Sequence, residues 1–92
     1  MEGDDFEWDD RKAAINLRRH KVSFPTACAV FNDAFALVEQ DVSEEYGEER
    51  FLAIKMAEDL LIAVVYTERG KRIRIISARR ANTNERRKYY QG

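Results

Sequence analysis

One cysteine, one histidine, one proline and four glycines are all that the 92 residues contain of these types, and each scarcity closes off a class of protein. A lone Cys28 forms neither an internal disulfide nor a thiolate metal cluster, so the expected setting is the reducing cytoplasm. With His20 as the sole imidazole, the chain argues against a zinc centre, and no metal or cofactor is expected. No repeat, low-complexity tract or Pro/Gly-rich linker interrupts the sequence. Domains rarely fall below ~50 residues, so residues 1–92 read as a single domain. No apolar run approaches the ~20 residues of a membrane span, and the acidic opening has no signal-peptide character. No association with a membrane is expected. Phosphate-binding loops, dinucleotide fingerprints and an ordered Ser/His/Asp set are missing too, which leans away from NTPases, dehydrogenases and serine proteases.

What is present is a globular composition, 45% apolar and 36% charged, with 11% aromatics. The near-zero net charge conceals a division. Residues 69–90 carry nine bases against one acid, Glu85, for a net +8, whereas residues 1–68 carry seven bases against sixteen acids, for a net −9. Asymmetry of this kind points to a nucleic-acid partner.

The pattern of the chain reads as α+β. Phe6-Glu7-Trp8 is a short aromatic segment with the character of a strand. Asp9 or Asp10 offers an N-cap, and Ala13, Ala14 and Leu17 form a narrow apolar stripe of a helix to about His20. Ser23 caps a second helix with Pro25 in its first turn and Phe24, Ala27, Cys28 and Phe31 at helical spacing. Strands are expected at 35–40, 50–57, 60–66 and 71–77, with 41–49 an acidic loop containing Gly47. The run from Leu60 is apolar on both faces, as a central strand covered on both sides requires. Short turns make consecutive strands antiparallel. Asn82 or Thr83 caps a last, basic helix to about Tyr90. The expected fold is two N-terminal helices, an antiparallel sheet of about four strands and a C-terminal helix.

Candidate functional residues lie mainly in the basic part. Arg72 and Arg74 share a strand face, and Arg79 and Arg80 are expected just past the strand's end. Guanidiniums on a rigid strand hold phosphate through two parallel bonds and stabilise charge developing on it; arginines paired with the acids of residues 1–68 are the plainer alternative. Glu68 is a candidate base beside them or a structural ion pair. His20 is a candidate acid or base, or a helix C-terminal residue favoured by the dipole. Tyr66, Tyr89 and Tyr90 offer rings for an unpaired base, and Tyr89 and Tyr90 can equally close the core from the last helix. Cys28 fits as a small hydrophobe.

Five segments in order are similar to one family: Phe6-Glu7-Trp8-Asp9; Asn16-Leu17-Arg18-Arg19-His20; Val22-Ser23-Phe24; Val64-Val65-Tyr66-Thr67-Glu68-Arg69; and Ile73 through Ala81. Jointly, and with Glu85-Arg86-Arg87 and Tyr89, they resemble the BrnT toxins of bacterial type II toxin–antitoxin systems from Phe6 to Tyr89. The sequence departs from that pattern at Ala34, where a proline is expected, and at Glu58-Asp59, where the expected connection contains glycine. The resemblance implies a RelE-like fold, RNA cleavage that halts translation, and neutralisation by a BrnA-like ribbon-helix-helix antitoxin, with DNA contacted only through the complex. On that basis the expected activity is a metal-independent endoribonuclease in which the ribose 2′-hydroxyl attacks the adjacent phosphate. Arg74, Arg79 and Arg80 are expected to hold the phosphate, Glu68 and His20 to move protons, and Arg72, Arg86, Arg87, Tyr66 and Tyr89 to bind RNA. A non-catalytic RNA-binding module, or a scaffold for a DNA-binding partner, is the alternative.

Overall fold

Local capping chemistry sets where the helices begin. The Asp9 carboxylate accepts from the backbone N–H groups of Arg11 and Lys12, starting helix α1 (Asp10–His20), and these bonds hold its pKa below the usual value. Lys21 closes α1 in the left-handed conformation, its N–H donating to the Leu17 carbonyl. The Ser23 hydroxyl accepts from Thr26 N–H and starts α2 (Phe24–Ala29), which has proline in its first turn and runs into a 3₁₀ turn at Val30–Asn32. The computed structural model describes residues 5–32, 37–41, 49–57 and 59–91. The expectations at Ala34, Phe35, Gly47 and Glu58 lie outside the described residues.

The remaining elements are β1 (Phe6–Glu7), β2 (Leu37–Asp41), β3 (Arg50–Ala57), β4 (Leu60–Arg69), β5 (Arg72–Arg80) and α3 (Thr83–Gln91). They form one sheet of order β1-β5-β4-β3-β2, antiparallel except that β1 runs parallel to β5. The α+β expectation holds, with one correction: the sheet has five strands and is mixed. Strand β1 joins because its alternation suits an edge. Phe6 packs against Phe31 in the core, while Glu7 takes the other face beside Arg74. Two further corrections follow from the strand bounds. β4 runs three residues beyond Tyr66, and β5 includes Arg79 and Arg80 rather than ending before them. At the β3–β4 turn, where the family pattern has a glycine-containing connection, Asp59 adopts φ +68°, a left-handed conformation that aspartate tolerates better than most residues.

The core lies between α1, α2 and one face of the sheet. Trp8 meets Phe24 edge-on at 5.8 Å, and Phe31 meets Tyr66 edge-on at 5.1 Å. Ala53, Ala57, Ile62, Val64, Ile75 and Ala78 complete it from the strands. β4 is central and buried on both faces, as its composition requires, because α3 approaches β3 from the other side.

Helix α1 does not sit as its apolar stripe implies. Leu17 is 48% exposed, and the buried residue of the helix is Asn16. The cause is the edge of β5. Strand β1 pairs with Ile73 and Arg74, and among the described residues no strand covers the outer edge of β5 beyond them. The Asn16 side-chain amide covers that edge as a strand would: its Nδ2 donates to the Ala78 carbonyl at 2.8 Å and its Oδ1 accepts from Ala78 N–H at 3.2 Å. The same Nδ2 donates to the Val22 carbonyl at 2.9 Å, tying the helical hairpin to the sheet. A buried amide with three partners outweighs the burial of one leucine side chain, since each buried group left unpaired costs ~1–3 kcal/mol. Asn16→Ala is therefore expected to lower the unfolding free energy by about 2–4 kcal/mol, measured by urea denaturation. A loss below about 0.5 kcal/mol would show that the edge does not depend on this amide.

Candidate functional site

Residues paired across antiparallel strands share a face, so register shows which side chains of β5 stand together. Arg74 pairs with Thr67, Ser77 with Val65 and Arg79 with Ala63; all lie on the face opposite the α1–α2 core. Two residues five apart in a regular strand fall on opposite faces. Arg74 and Arg79 share one because Tyr66 pairs with Ile75 and the next residue, Val65, pairs with Ser77, leaving Ile76 as a bulge.

Each of these arginines is held by a carboxylate. Arg74 Nη1 lies 2.7 Å from Glu7 Oε2. Arg79 meets Glu85 of α3 as a fork, Nη1 to Oε1 at 2.7 Å and Nη2 to Oε2 at 2.9 Å. Glu85 has a second duty. It accepts from Asn82 N–H at 2.9 Å while the Asn82 side chain accepts from Glu85 N–H at 2.8 Å, the reciprocal capping box that starts α3. The Arg79 bonds hold the Glu85 carboxyl below its ordinary pKa, and the same bonds raise that of Arg79. The plainer reading of the arginines as ion-paired thus describes Arg74, with an acid of the first 68 residues, and Arg79, with the one acid of the basic segment.

The other expected site residues are dispersed. Arg72 lies on the Arg74 face by alternation, while Arg80 stands opposite Ile62 on the core face, exposed at the strand's end. Glu68 pairs with Ile73, also on the core face, and its charge adds to the burial that raises the Tyr66 pKa. Tyr66 itself is corrected from surface to core: its ring packs between Phe31 and Phe51, leaving no face for a base. Arg86 and Arg87 are exposed on α3, where Tyr89 is half-buried against Tyr90. Cys28 is half-buried, and burial raises its thiol pKa.

His20 ends α1 in a groove of about 200 Å³ lined by Lys12, Ile15, Asn16, Arg19, Ile76 and Ser77. Ser77 connects this groove to the Arg74–Arg79 face. Reading the sequence alone misses the two carboxylates that orient the arginines. The Asn82-x-x-Glu85 spacing is a visible capping signature, whereas nothing local joins Glu7 to a partner 67 residues away. Among the described residues no cluster of three or more His, Cys, Asp or Glu is placed to hold a metal, and no helix is long and apolar enough to cross a membrane.

A family model described as the ribonuclease toxin, BrnT, of type II toxin–antitoxin systems matches residues 8–85. No curated protein matches the chain.

The Arg79–Glu85 fork makes a pH prediction. A carboxyl whose folded pKa is depressed contributes stability above its unfolded value, here about 4.5, and that contribution disappears as pH falls through the lower folded value. Melting temperature is expected to drop below pH 4.5 in the wild type. In Glu85→Gln the acid-side decline should be shallower and the neutral plateau lower. Identical profiles for the two proteins would mean that the fork contributes nothing to holding α3.

Proposed function

The chain belongs to the BrnT family of ribonuclease toxins of type II toxin–antitoxin systems, and from that premise we propose how it cleaves RNA and which residues do so. Membership supplies an RNA substrate and an antitoxin partner. The chemistry we propose is attack of a ribose 2′-hydroxyl on the adjacent phosphate, without a metal, to give a 2′,3′-cyclic phosphate and a 5′-hydroxyl. Cleavage takes place in the cytoplasm and stops translation.

The observation that carries this reading is the shared face of Arg74 and Arg79. Two guanidiniums on one rigid strand converge on a single phosphate better than two on mobile side chains of a loop, since little freedom remains to be lost. Glu7 and Glu85 orient them before substrate arrives. An incoming phosphate takes up donors of the five that each guanidinium carries, and the charge that grows on its oxygens is stabilised most when the donors are already in place. For proton transfer His20 fits better than Glu68. It shares a groove with Ser77 of the arginine face, while Glu68 stands on the other side of the sheet. Arg72, Arg86, Arg87 and Tyr89 extend the contact along the RNA, and Arg80, on the core face of β5, is left out of the phosphate site. The antitoxin, a BrnA-like ribbon-helix-helix protein, covers the basic face partly through acidic side chains and brings the complex to DNA.

One observation favours the non-catalytic alternative: Arg79 already spends its fork on Glu85, as a purely structural arginine would. Purified chain with RNA in EDTA separates the two. Cleavage to cyclic-phosphate ends is expected, with Arg74→Ala and Arg79→Lys each losing about 10²–10³ in rate, the cost of removing one oriented donor. Binding should weaken with salt, each phosphate contact on a single strand adding about −0.7 to the slope of log K against log salt. RNA retention with no cleavage would make the chain a binding module. Full activity in both arginine variants, at wild-type fold, would remove them from the site.

A further inference from the structure

Helix α1 carries a stripe of which the core uses one residue and the proposed chemistry none. Lys12, Ile15, Asn16 and Arg19 recur at i, i+3, i+4 and i+7, the spacing of one helix face. Asn16 is consumed by the edge of β5, and the other three stand around it over the groove. Ile15 is 46% exposed, a large apolar side chain left at the rim between two cations. Across from it is Ile76, the bulge residue. Bulges re-aim a side chain, and this one lines the groove.

We propose that the groove between α1 and β5 is a subsite for one unpaired ribonucleotide flanking the phosphate held by Arg74 and Arg79. The base lies between Ile15 and Ile76, and its own phosphate meets Lys12 and Arg19. This rests on the nuclease reading and adds to it the residues that set which strand, and how much of it, the protein grips. Three observations converge. The groove adjoins the arginine face through Ser77. Its 200 Å³ is smaller than the ~300–1,000 Å³ of sites that enclose a drug-sized ligand, and so takes one planar group with the rest of the ligand outside. Its walls pair apolar surface for the face of a base with cations for a phosphate, contacts that every nucleotide can make. An acidic peptide would use the cations but leave the two isoleucines unexplained.

The test uses a single-stranded 2′-O-methyl oligonucleotide, which binds without being cut, and the matching cleavable RNA. Lys12→Ala/Arg19→Ala and, separately, Ile15→Asp are compared with the wild type after circular dichroism confirms the fold. Affinity for the uncut strand should fall at least tenfold in each, and the double variant should lose about 0.7 from the salt slope, the value of one single-strand phosphate contact. With cleavable RNA, KM should rise by more than kcat falls. Trimming one nucleotide from the flanking side should cost the wild type the same tenfold and the Ile15→Asp variant little, because the group removed no longer has a seat. Unchanged affinity in both variants, or equal sensitivity to trimming in all proteins, overturns the subsite. Loss of antitoxin binding with RNA affinity intact also overturns it and assigns the groove to a protein. A wild type that binds the uncut strand through these residues but cleaves nothing would sink the nuclease reading alone.

Discussion

One residue without a cross-strand partner, Ile76, decides where Arg79 stands. β5 alternates with period two, and five steps from Arg74 would turn Arg79 toward the α1–α2 core. The extra residue restores the phase and sets both guanidiniums on the face that α3 approaches. Such an irregularity persists only when its surroundings hold the strand on either side. Here β1 pairs with Ile73 and Arg74 before the bulge, and the Asn16 amide grips Ala78 after it. The fold therefore invests an asparagine in a helix interior, at some cost in helix propensity, to fix one stretch of strand edge.

The charges follow from the same arrangement. Strand β1 supplies Glu7 to Arg74 because it runs beside β5 in parallel, and α3 supplies Glu85 to Arg79 because its capping box begins two residues after the strand. The paired carboxylates reduce repulsion in a segment of net charge +8 and keep the guanidiniums oriented. They also compete with any anion that arrives. Arg79 is still one-third exposed while Glu85 is nearly buried, so on the proposed reading an incoming phosphate meets the arginine rather than the acid.

Much of this was legible from the residues. Ser23 and Pro25 mark α2, Arg50–Ala57 is the third strand with its bounds as observed, and the doubly apolar run at Leu60 is the central strand. The concentration of arginines after Arg69 and the resemblance over most of the chain point to the right family. What escaped is non-local. Nothing in Phe6-Glu7 announces a parallel partner 67 residues on, and no glycine flags the bulge at Ile76. Hydrophobicity chose Leu17 over Asn16 for the buried side of α1, because the need for an edge cover exists only after the sheet has formed. Tyr66 looked available for stacking when its neighbours Phe31 and Phe51, both distant in sequence, were not yet seen around it.

The most direct measurement is a crystal structure of the chain bound to a 2′-O-methyl RNA strand that spans the cleavage site. If the bulge serves to assemble one phosphate site, the phosphate at the blocked 2′ position lies within hydrogen-bonding distance of both Arg74 and Arg79, on the face of β5 that carries Ser77. A strand that contacts only the outer surface of α3, or crosses the sheet on the Glu68 side with Arg74 and Arg79 still closed on Glu7 and Glu85, contradicts it.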